Sequence, residues 1–145
     1  MSEETKGTKW GCGKSHVVTR TNRTTIYRWG LWSPYFSFFF SKIIPSGGKS
    51  AEDIKVYHDH EGNFISFLLW GSYTEYVKIN SKKINKKKCN WVNVVKWNTL
   101  HHINCEEPVY TIHFMGKKKH KVSIDYKGKL IPYKKFCKRE GLLWA

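Results

Sequence analysis

Two histidines one residue apart, His58 and His60, have the spacing of a pair of metal ligands. In a β-strand, residues two apart point to the same face, so a strand through this stretch would place both imidazoles side by side. Imidazole is the commonest side-chain ligand of transition metals. The pair therefore predicts half of a metal site, and the rest of the chain must supply a scaffold and further ligands.

Glu75 is the next candidate because strand parity carries it to the same side. If the Gly-Ser dipeptide at positions 71–72 forms the loop of a two-residue hairpin, Leu68 of one strand pairs with Glu75 of the next. A carboxylate at that place would be either a further ligand or a general base. Glu75 is therefore predicted in both the metal set and the catalytic set.

A third imidazole is available from the later pair His101 and His102. Adjacent residues of a strand face opposite ways, so only one of the two can point into a barrel. His113, on a further predicted strand, is a reserve candidate.

The 145 residues predict one all-β domain at residues 20–145, preceded by a flexible basic and polar arm at residues 1–19. Short β-branched and aromatic runs alternate with turn residues, which is typical of a sandwich or barrel. The segment 35–44 is predicted to be a buried strand or a short helix. The lysine-rich segments 81–88 and 117–121 are expected to be solvated loops. The segment 133–139 is expected to be a short helix. The other strands are predicted at 24–32, 54–60, 64–70, 73–79, 91–95, 101–104, 109–114 and 120–125.

The charge balance is strongly basic, since 26 Lys and Arg against 11 Asp and Glu give a net charge of +15. Such a charge favours anionic partners, including nucleic acid through the lysine patches, but it says nothing about the fold. It can also arise from a composition biased towards lysine. No helix-turn-helix or RNA-binding motif accompanies it.

Neither a membrane span nor a signal peptide is predicted, because no apolar run approaches about 18 residues and the amino terminus is polar. The four cysteines form no Cys-x-x-Cys pair, which argues against a zinc knuckle. Free thiols are the preferred interpretation, although two disulfides are compatible with the count. We expect a cytoplasmic protein, or one of the host cytoplasm if the chain is viral.

The order of these motifs resembles that of small cupin-like metal-binding proteins of bacterial and phage genomes. The similarity runs from about Arg28 to Phe136. It is carried by Trp29-Gly30-Leu31-Trp32-Ser33-Pro34, His58-Asp59-His60, Thr99-Leu100-His101, the stretch 108–116 and the closing stretch 128–136. The resemblance implies a double-stranded β-helix barrel, or jelly roll, that carries one metal ion, here with a polar amino-terminal arm and a short carboxy-terminal helix.

By position, the resemblance makes His58, His60 and His101 metal ligands, with Glu75 as a fourth. The commonest cupin pattern has a glutamate where this chain has Phe64. Glu75 would then substitute from the neighbouring strand, or water would fill the place. Fe(II), Mn(II), Ni(II) and Zn(II) all suit imidazole and carboxylate ligands.

The function implied is that of a metal-binding cupin, either a dioxygenase-like iron enzyme or another enzyme acting on a small anionic or nucleotide-like ligand. If 2-oxoglutarate is a cofactor, Arg28 is the candidate that binds its carboxylate. The alternative is a non-catalytic or inhibitory module whose basic surface binds nucleic acid, a protein or a signalling ligand. Cupin-like barrels often pair through their sheets, so a homodimer is compatible with either function.

Overall fold

The computed structural model describes residues 11–19, 24–45, 57–126 and 128–140. Twelve strands and one helix lie within these ranges. The strands are β1 (Gly11–Thr19), β2 (Thr24–Trp32), β3 (Ser37–Pro45), β4 (Tyr57–His58), β5 (Phe64–Trp70), β6 (Tyr73–Lys78), β7 (Ile84–Cys89), β8 (Val92–Val95), β9 (His101–Asn104), β10 (Val109–Met115), β11 (Ser123–Tyr126) and β12 (Lys129–Pro132). The helix, α1, spans Tyr133–Glu140.

The strands form two six-stranded antiparallel sheets. Sheet A has the order β1-β2-β3-β10-β5-β8, and sheet B has the order β12-β11-β4-β9-β6-β7. The period-2 pattern of the sequence explains which faces meet: in β5, the alternate residues Phe64, Ser66 and Leu68 are buried, while Phe67 and Leu69 are exposed. The prediction of an all-β domain is confirmed.

The core lies between the two sheets. Sheet A contributes Ile43, Leu68 and Val109 to one apolar cluster, and sheet B contributes Tyr73 and Cys89. A second, smaller cluster joins Ile124 of β11 to Phe136 of α1. Phe136 thus packs the helix against strand β11 of sheet B. No helix of the described residues is long and apolar enough to cross a membrane.

The lysine-rich segment 81–88 is not the loop that we expected. Its second half is strand β7, which pairs with β6 along six residues, from Tyr73 opposite Cys89 to Lys78 opposite Ile84. Five of the six residues of β7 are exposed. An edge strand with a solvated face needs no apolar alternation, and lysines there discourage pairing with other chains.

Within the predicted arm 1–19, residues 11–19 pair with β2 as strand β1. Residues 1–10 lie outside the described residues, as do 54–56 of the predicted strand 54–60. The segment 35–44 is a strand, and the tail forms the expected helix. The division into an arm and one domain stays a prediction.

The hairpin predicted at positions 71–72 is wrong. Strand β5 belongs to sheet A and β6 to sheet B, so Leu68 and Glu75 are not paired and the chain passes here from one sheet to the other. Gly71 makes the corner with φ of 79°, and a Cβ at this position would lie 2.8 Å from the carbonyl oxygen of Pro108. Parity still brings Glu75 to the interior, where it is 2% exposed.

Candidate metal centre

Three histidines converge on the inner face of sheet B. His58 of β4 lies directly opposite His101 of β9, and directly opposed residues of an antiparallel pair share a face. His60 lies beyond the end of β4, yet its ring centroid is 5.0 Å from that of His58 and 4.9 Å from that of His101. The structure thus brings together the three imidazoles that the sequence analysis selected.

The nitrogen atoms of this trio are close enough for one ion. One ligand nitrogen from each ring lies within 4.8 Å of the others, and His60 Nε2 is 2.6 Å from His101 Nε2. Imidazole nitrogens bind transition metals at about 2.0–2.1 Å, so a single ion between the rings can reach all three after small side-chain adjustments. The residues fit a mononuclear site.

The protonation of His58 and His60 favours metal binding. Burial is the main factor that lowers the pKa of His58 and of His60 well below the usual value, and the neighbouring histidines and Arg28 lower both further. Both rings are therefore neutral at physiological pH, and a neutral imidazole has a lone pair to give.

Glu75 lies behind His101 instead of beside the three ligand nitrogens. Its Oε1 accepts a hydrogen bond from His101 Nδ1 at 2.5 Å, on the opposite side of the ring from Nε2. Burial would raise the pKa of this carboxyl, but hydrogen bonds from His101 and Asn93 and the charge of Lys87 lower it overall. An ionised Glu75 holds the proton of His101 on Nδ1 and leaves Nε2 free to bind a metal.

Asn93 is a supporting residue that the sequence analysis missed. It is 1% exposed on β8, and its Nδ2 donates to Glu75 Oε1 and to Tyr73 Oη, each at 3.1 Å. Its Oδ1 accepts a hydrogen bond from Lys87 Nζ at 2.8 Å. The available signal was an amide at an inward position of the apolar strand Val92–Val95.

Phe64 closes one side of the site. Its ring centroid is 4.4 Å from that of His60 and 6.0 Å from that of His101, and it stacks on His113 at 4.5 Å. An apolar ring therefore occupies the position where the resemblance led us to look for a carboxylate. Among the described residues, the cluster with metal-ligand geometry consists of the three histidines alone.

Arg28 and His113 supply polar groups on the inner face of sheet A. The Arg28 guanidinium carbon lies 5.5 Å from the ring centroid of Phe39, and its charge helps to lower the pKa of His58, His60 and His113. His113 Nδ1 is 3.1 Å from Ser66 Oγ, while its buried Nε2 has no hydrogen-bond partner among the described residues. Burial first, then Arg28, lowers the pKa of His113 to about 3.

Two further residues next to the candidate ligands point away from the three ligand nitrogens. His102 points to the opposite face of sheet B, where it is buried and stacks on Tyr76 with centroids 4.6 Å apart. Asp59 accepts a hydrogen bond from the Ser123 backbone N–H at 2.7 Å. This bond links the segment 58–60, which carries two of the candidate ligands, to strand β11.

Comparisons with known proteins give structural matches only. No protein-family model matches the chain, and no curated protein matches by sequence. Among solved structures, Fe(II)-loaded hydroxypropylphosphonic acid epoxidase with an alternative substrate matches with a TM-score of 0.56 at 12% identity, over 72% of this chain and 55% of that one. The Lactobacillus farciminis oxalate decarboxylase, as a formate complex, matches with a TM-score of 0.54 at 12% identity, over 87% of this chain and 35% of the other.

These matches establish the architecture. The chain has the jelly-roll fold of the cupins, as the sequence predicted, with two antiparallel sheets and the histidine cluster between them. It spans about half the length of the epoxidase and about a third of the decarboxylase. At this identity the likeness concerns the fold, and the chemistry of this chain must be argued from its own residues.

Proposed function

We propose that this protein is a cupin that binds one divalent metal ion through His58, His60 and His101 and uses it to act on a small anionic ligand. The observation that carries the proposal is the convergence of three imidazoles, of which His101 is buried and His58 and His60 are half-buried, backed by the Glu75–His101 hydrogen bond. A histidine ligand whose second nitrogen donates to a carboxylate is the usual arrangement in protein metal sites.

The ligand set is neutral and leaves part of the coordination sphere open, so a bound ion would supply Lewis acidity or a redox centre. Fe(II), Mn(II), Ni(II) and Zn(II) all accept imidazole. Fe(II) is the ion in the matched epoxidase. In this proposal Glu75 fixes the tautomer and direction of His101 rather than serving as a fourth ligand. Phe64 keeps water away from the side it covers.

Arg28 makes an anion the natural ligand. Arg28 is half-buried, and its charge helps to lower the pKa of three histidines, so that charge reaches the histidine cluster. Guanidinium groups bind carboxylates and phosphonates in a fork geometry. A small carboxylate, with 2-oxoglutarate as one member of the class, or a phosphonate would match it.

His113 would add a hydrogen bond to the same ligand. Its Nε2 is buried without a partner among the described residues, and a buried unsatisfied nitrogen costs about 1–3 kcal/mol. A ligand oxygen placed between Arg28 and the metal histidines would satisfy that nitrogen. The stacked Phe64 ring and the Ser66 hydroxyl hold the imidazole in place.

The decisive experiment is metal analysis of untagged protein. We expect about one equivalent of a divalent ion per chain, and its loss in the double variant His58→Ala/His60→Ala. The control is His102→Gln, which changes the residue next to His101 on the opposite face of the same strand and should leave the metal content intact. Equal metal content in the double variant and the wild type would refute the site.

The ligand class is tested on the metal-loaded protein by thermal shift and calorimetry, with 2-oxoglutarate, methylphosphonate and an uncharged alcohol as probes. We expect the anions to bind, the alcohol not to bind, and Arg28→Met to weaken anion binding while metal content persists. Equal binding of anions and alcohol, or an Arg28→Met variant with unchanged affinity, would contradict the assignment.

The second candidate function is that of a basic binding module, favoured by the lysines along β7 and its preceding turn. Lys82, Lys83, Lys86 and Lys88 are all exposed, and Trp91 nearby is 73% exposed. Lysines neutralise phosphates and an exposed ring can stack on a base. A complex with single-stranded nucleic acid that persists at physiological salt and is lost in Trp91→Ala would support this function, whereas binding abolished by moderate salt would reflect generic charge.

A further inference from the structure

Lys87 is a half-exposed lysine that turns into the sandwich. It lies directly opposite Glu75 in the β6–β7 ladder, and directly opposed residues of an antiparallel pair share a face. Its neighbour Lys86 lies opposite Tyr76, and the Lys86 Nζ is 5.9 Å from the centroid of that ring on the outer face of the sheet. One run of lysines thus sends Lys86 outward and Lys87 inward.

The ammonium group of Lys87 reaches two buried acceptors. Its Nζ donates to Asn93 Oδ1 at 2.8 Å and lies 3.5 Å from Glu75 Oε2. Asn93 and Glu75 are 1% and 2% exposed, whereas the Lys87 side chain is 54% exposed. Glu75 in turn accepts the 2.5 Å hydrogen bond from His101 Nδ1. A continuous set of polar contacts therefore runs from solvent through Lys87 and Glu75 to a proposed metal ligand.

Lys87 also joins the two sheets at one edge of the sandwich. Strand β7 is the edge of sheet B and β8 is the edge of sheet A, so the hydrogen bond from Lys87 to Asn93 crosses between the sheets. Inward-pointing charges on edge strands also protect a sheet against pairing with other chains. If these structural roles were all that Lys87 does, its removal would loosen the edge and either weaken the metal site or leave it unchanged.

The Lys87 cation offsets the negative charge of Glu75. Burial would raise the pKa of Glu75, but hydrogen bonds from His101 and Asn93 lower it, and the charge of Lys87 makes the smallest contribution. The carboxylate should therefore stay ionised when Lys87 is removed. A divalent ion at the three histidines is attracted by that negative charge, and a cation in contact with the carboxylate opposes the attraction. The electrostatic role thus predicts the opposite result from the structural one.

We propose that Lys87 is a positioning residue that weakens the hold of the three-histidine site on a divalent ion, because it offsets the charge of the carboxylate behind His101. The inference rests on the proposed metal site. Lys87 keeps the Asn93 amide turned with its nitrogen towards Glu75, and it limits how strongly the carboxylate increases the basicity of the His101 ring. The site would then exchange its ion more readily than one with an uncompensated carboxylate.

The test is a competition titration of metal-stripped, untagged, full-length protein with Zn(II) and a chromogenic chelator. We expect Lys87→Met to lower the dissociation constant of Zn(II) about 3-fold to 10-fold, a modest change because solvent screens a half-exposed cation. Lys87→Arg keeps the charge and should stay within about 2-fold of the wild type. The control is Lys129→Met, which removes an exposed lysine from β12 at the other edge of sheet B and should have no effect.

A second substitution separates the charge from the link between the sheets. Lys87→Gln removes the same charge but keeps a side-chain donor for Asn93, so it should tighten Zn(II) binding as Lys87→Met does. A double-variant cycle shows whether Lys87 acts through Glu75. In a Glu75→Gln background, Lys87→Met should change the dissociation constant by less than about 2-fold, because the charge that Lys87 offsets is gone.

Circular dichroism of the metal-free variants verifies that each remains folded. Unchanged or weaker Zn(II) binding by Lys87→Met and Lys87→Gln would overturn the proposal, and so would an effect of equal size with and without Glu75. If the wild type binds Zn(II) and the Lys87 variants bind it equally well, this inference alone fails. If the wild type binds no divalent ion, the proposed function fails and this inference fails with it.

Discussion

At the scale of single residues, the pairing of Glu75 with His101 decides which nitrogen faces the site. The carboxylate is buried, ionised and held by Asn93 and Lys87, and its 2.5 Å hydrogen bond fixes the Nδ1–H form of His101. His58 and His60 have no equivalent carboxylate among the described residues. His101 is thus the proposed ligand whose direction the protein controls most strongly.

We expect Glu75→Gln to lower metal affinity about 10-fold to 100-fold, the range for loss of a carboxylate behind a ligand histidine. The glutamine can still accept a hydrogen bond, but it no longer strengthens the basicity of the ring. A competition titration with a chromogenic chelator measures the change. Glu106→Gln, at an exposed turn residue, is the matched control, and an effect equal to that of Glu75→Gln would contradict the role.

His113 should make stability depend on pH. Its folded-state pKa is about 3, against about 6.5 in an unfolded chain. Above pH 6.5 neither state binds the proton. As the pH falls below 6.5 the unfolded state takes it up first, so the free energy of unfolding falls by up to about 1.4 kcal/mol per pH unit from this residue.

The measurement is a set of denaturant titrations at pH 4 to 7 on metal-free protein with chelator present. As the pH falls, the free energy of unfolding should decrease less steeply for His113→Gln than for the wild type. Below pH 6, the slopes of the free energy of unfolding against pH should differ by nearly the one-proton value of about 1.4 kcal/mol per pH unit. Parallel stability curves would show that His113 is already protonated in the folded protein or exposed to water.

Residue spacing predicted the pair His58 and His60, whereas the resemblance to cupin-like proteins, not parity, selected His101 over His102. Glu75 does lie inside, but the hairpin from which its face was predicted does not form. Whether the Glu75 carboxylate would contact the ion or the Nδ1 atom of His101 depends on the distance between the strands. The spacing of residues in the sequence does not give that distance. Asn93 was missed for the same reason, because its partners come from another strand.

At the scale of elements, the corner between β5 and β6 joins the two sheets: it connects the strand that carries Phe64 to the strand that carries Glu75. Gly71 adopts φ of 79°, a backbone conformation that costs an L-residue about 1–2 kcal/mol. A Cβ would also meet the Pro108 carbonyl oxygen at 2.8 Å. Both factors require glycine here.

Gly71→Ala should lower the free energy of unfolding by about 2–4 kcal/mol, since it adds a backbone contact to the conformational cost. Gly128→Ala is a matched control, because Gly128 has φ of 81° and open space around its would-be Cβ. Gly128→Ala should lower the free energy of unfolding only by the cost of the unfavourable backbone conformation. Chemical denaturation measures both, and equal losses would show that the strand after Pro108 moves aside without cost.

Elements with strong alternation were the easiest to predict: β5 and β9 have the expected limits, and α1 nearly so. Strand β7 was missed because its six residues Ile84–Cys89 are nearly all solvated and a lysine run looks like a loop. The hairpin error has a different origin. A Gly-Ser corner between two strands is compatible with pairing within one sheet or with passage to the other, and only the packing of both sheets decides.

At the scale of the whole molecule, metal binding should stabilise the fold, because the ligand set exists only when β4 and β9 are paired. At an ion concentration 100 times the dissociation constant, the linkage is about 2.7 kcal/mol. For a chain of this size that corresponds to a rise of roughly 5–10 °C in the melting temperature. Calorimetry with and without chelator should show the rise in wild-type protein and not in His58→Ala/His60→Ala.

The passage of the chain between sheets also has a consequence for folding kinetics. Strand β10 lies between β3 and β5, and β4 lies between β11 and β9, so most pairings join distant parts of the sequence. Non-local pairing of this kind folds in milliseconds to seconds, slower than locally connected folds. His60 and His101 are 41 positions apart, so the proposed metal site would be complete only after these distant strands have paired. A nascent chain should therefore acquire its metal after folding, not as the template for it.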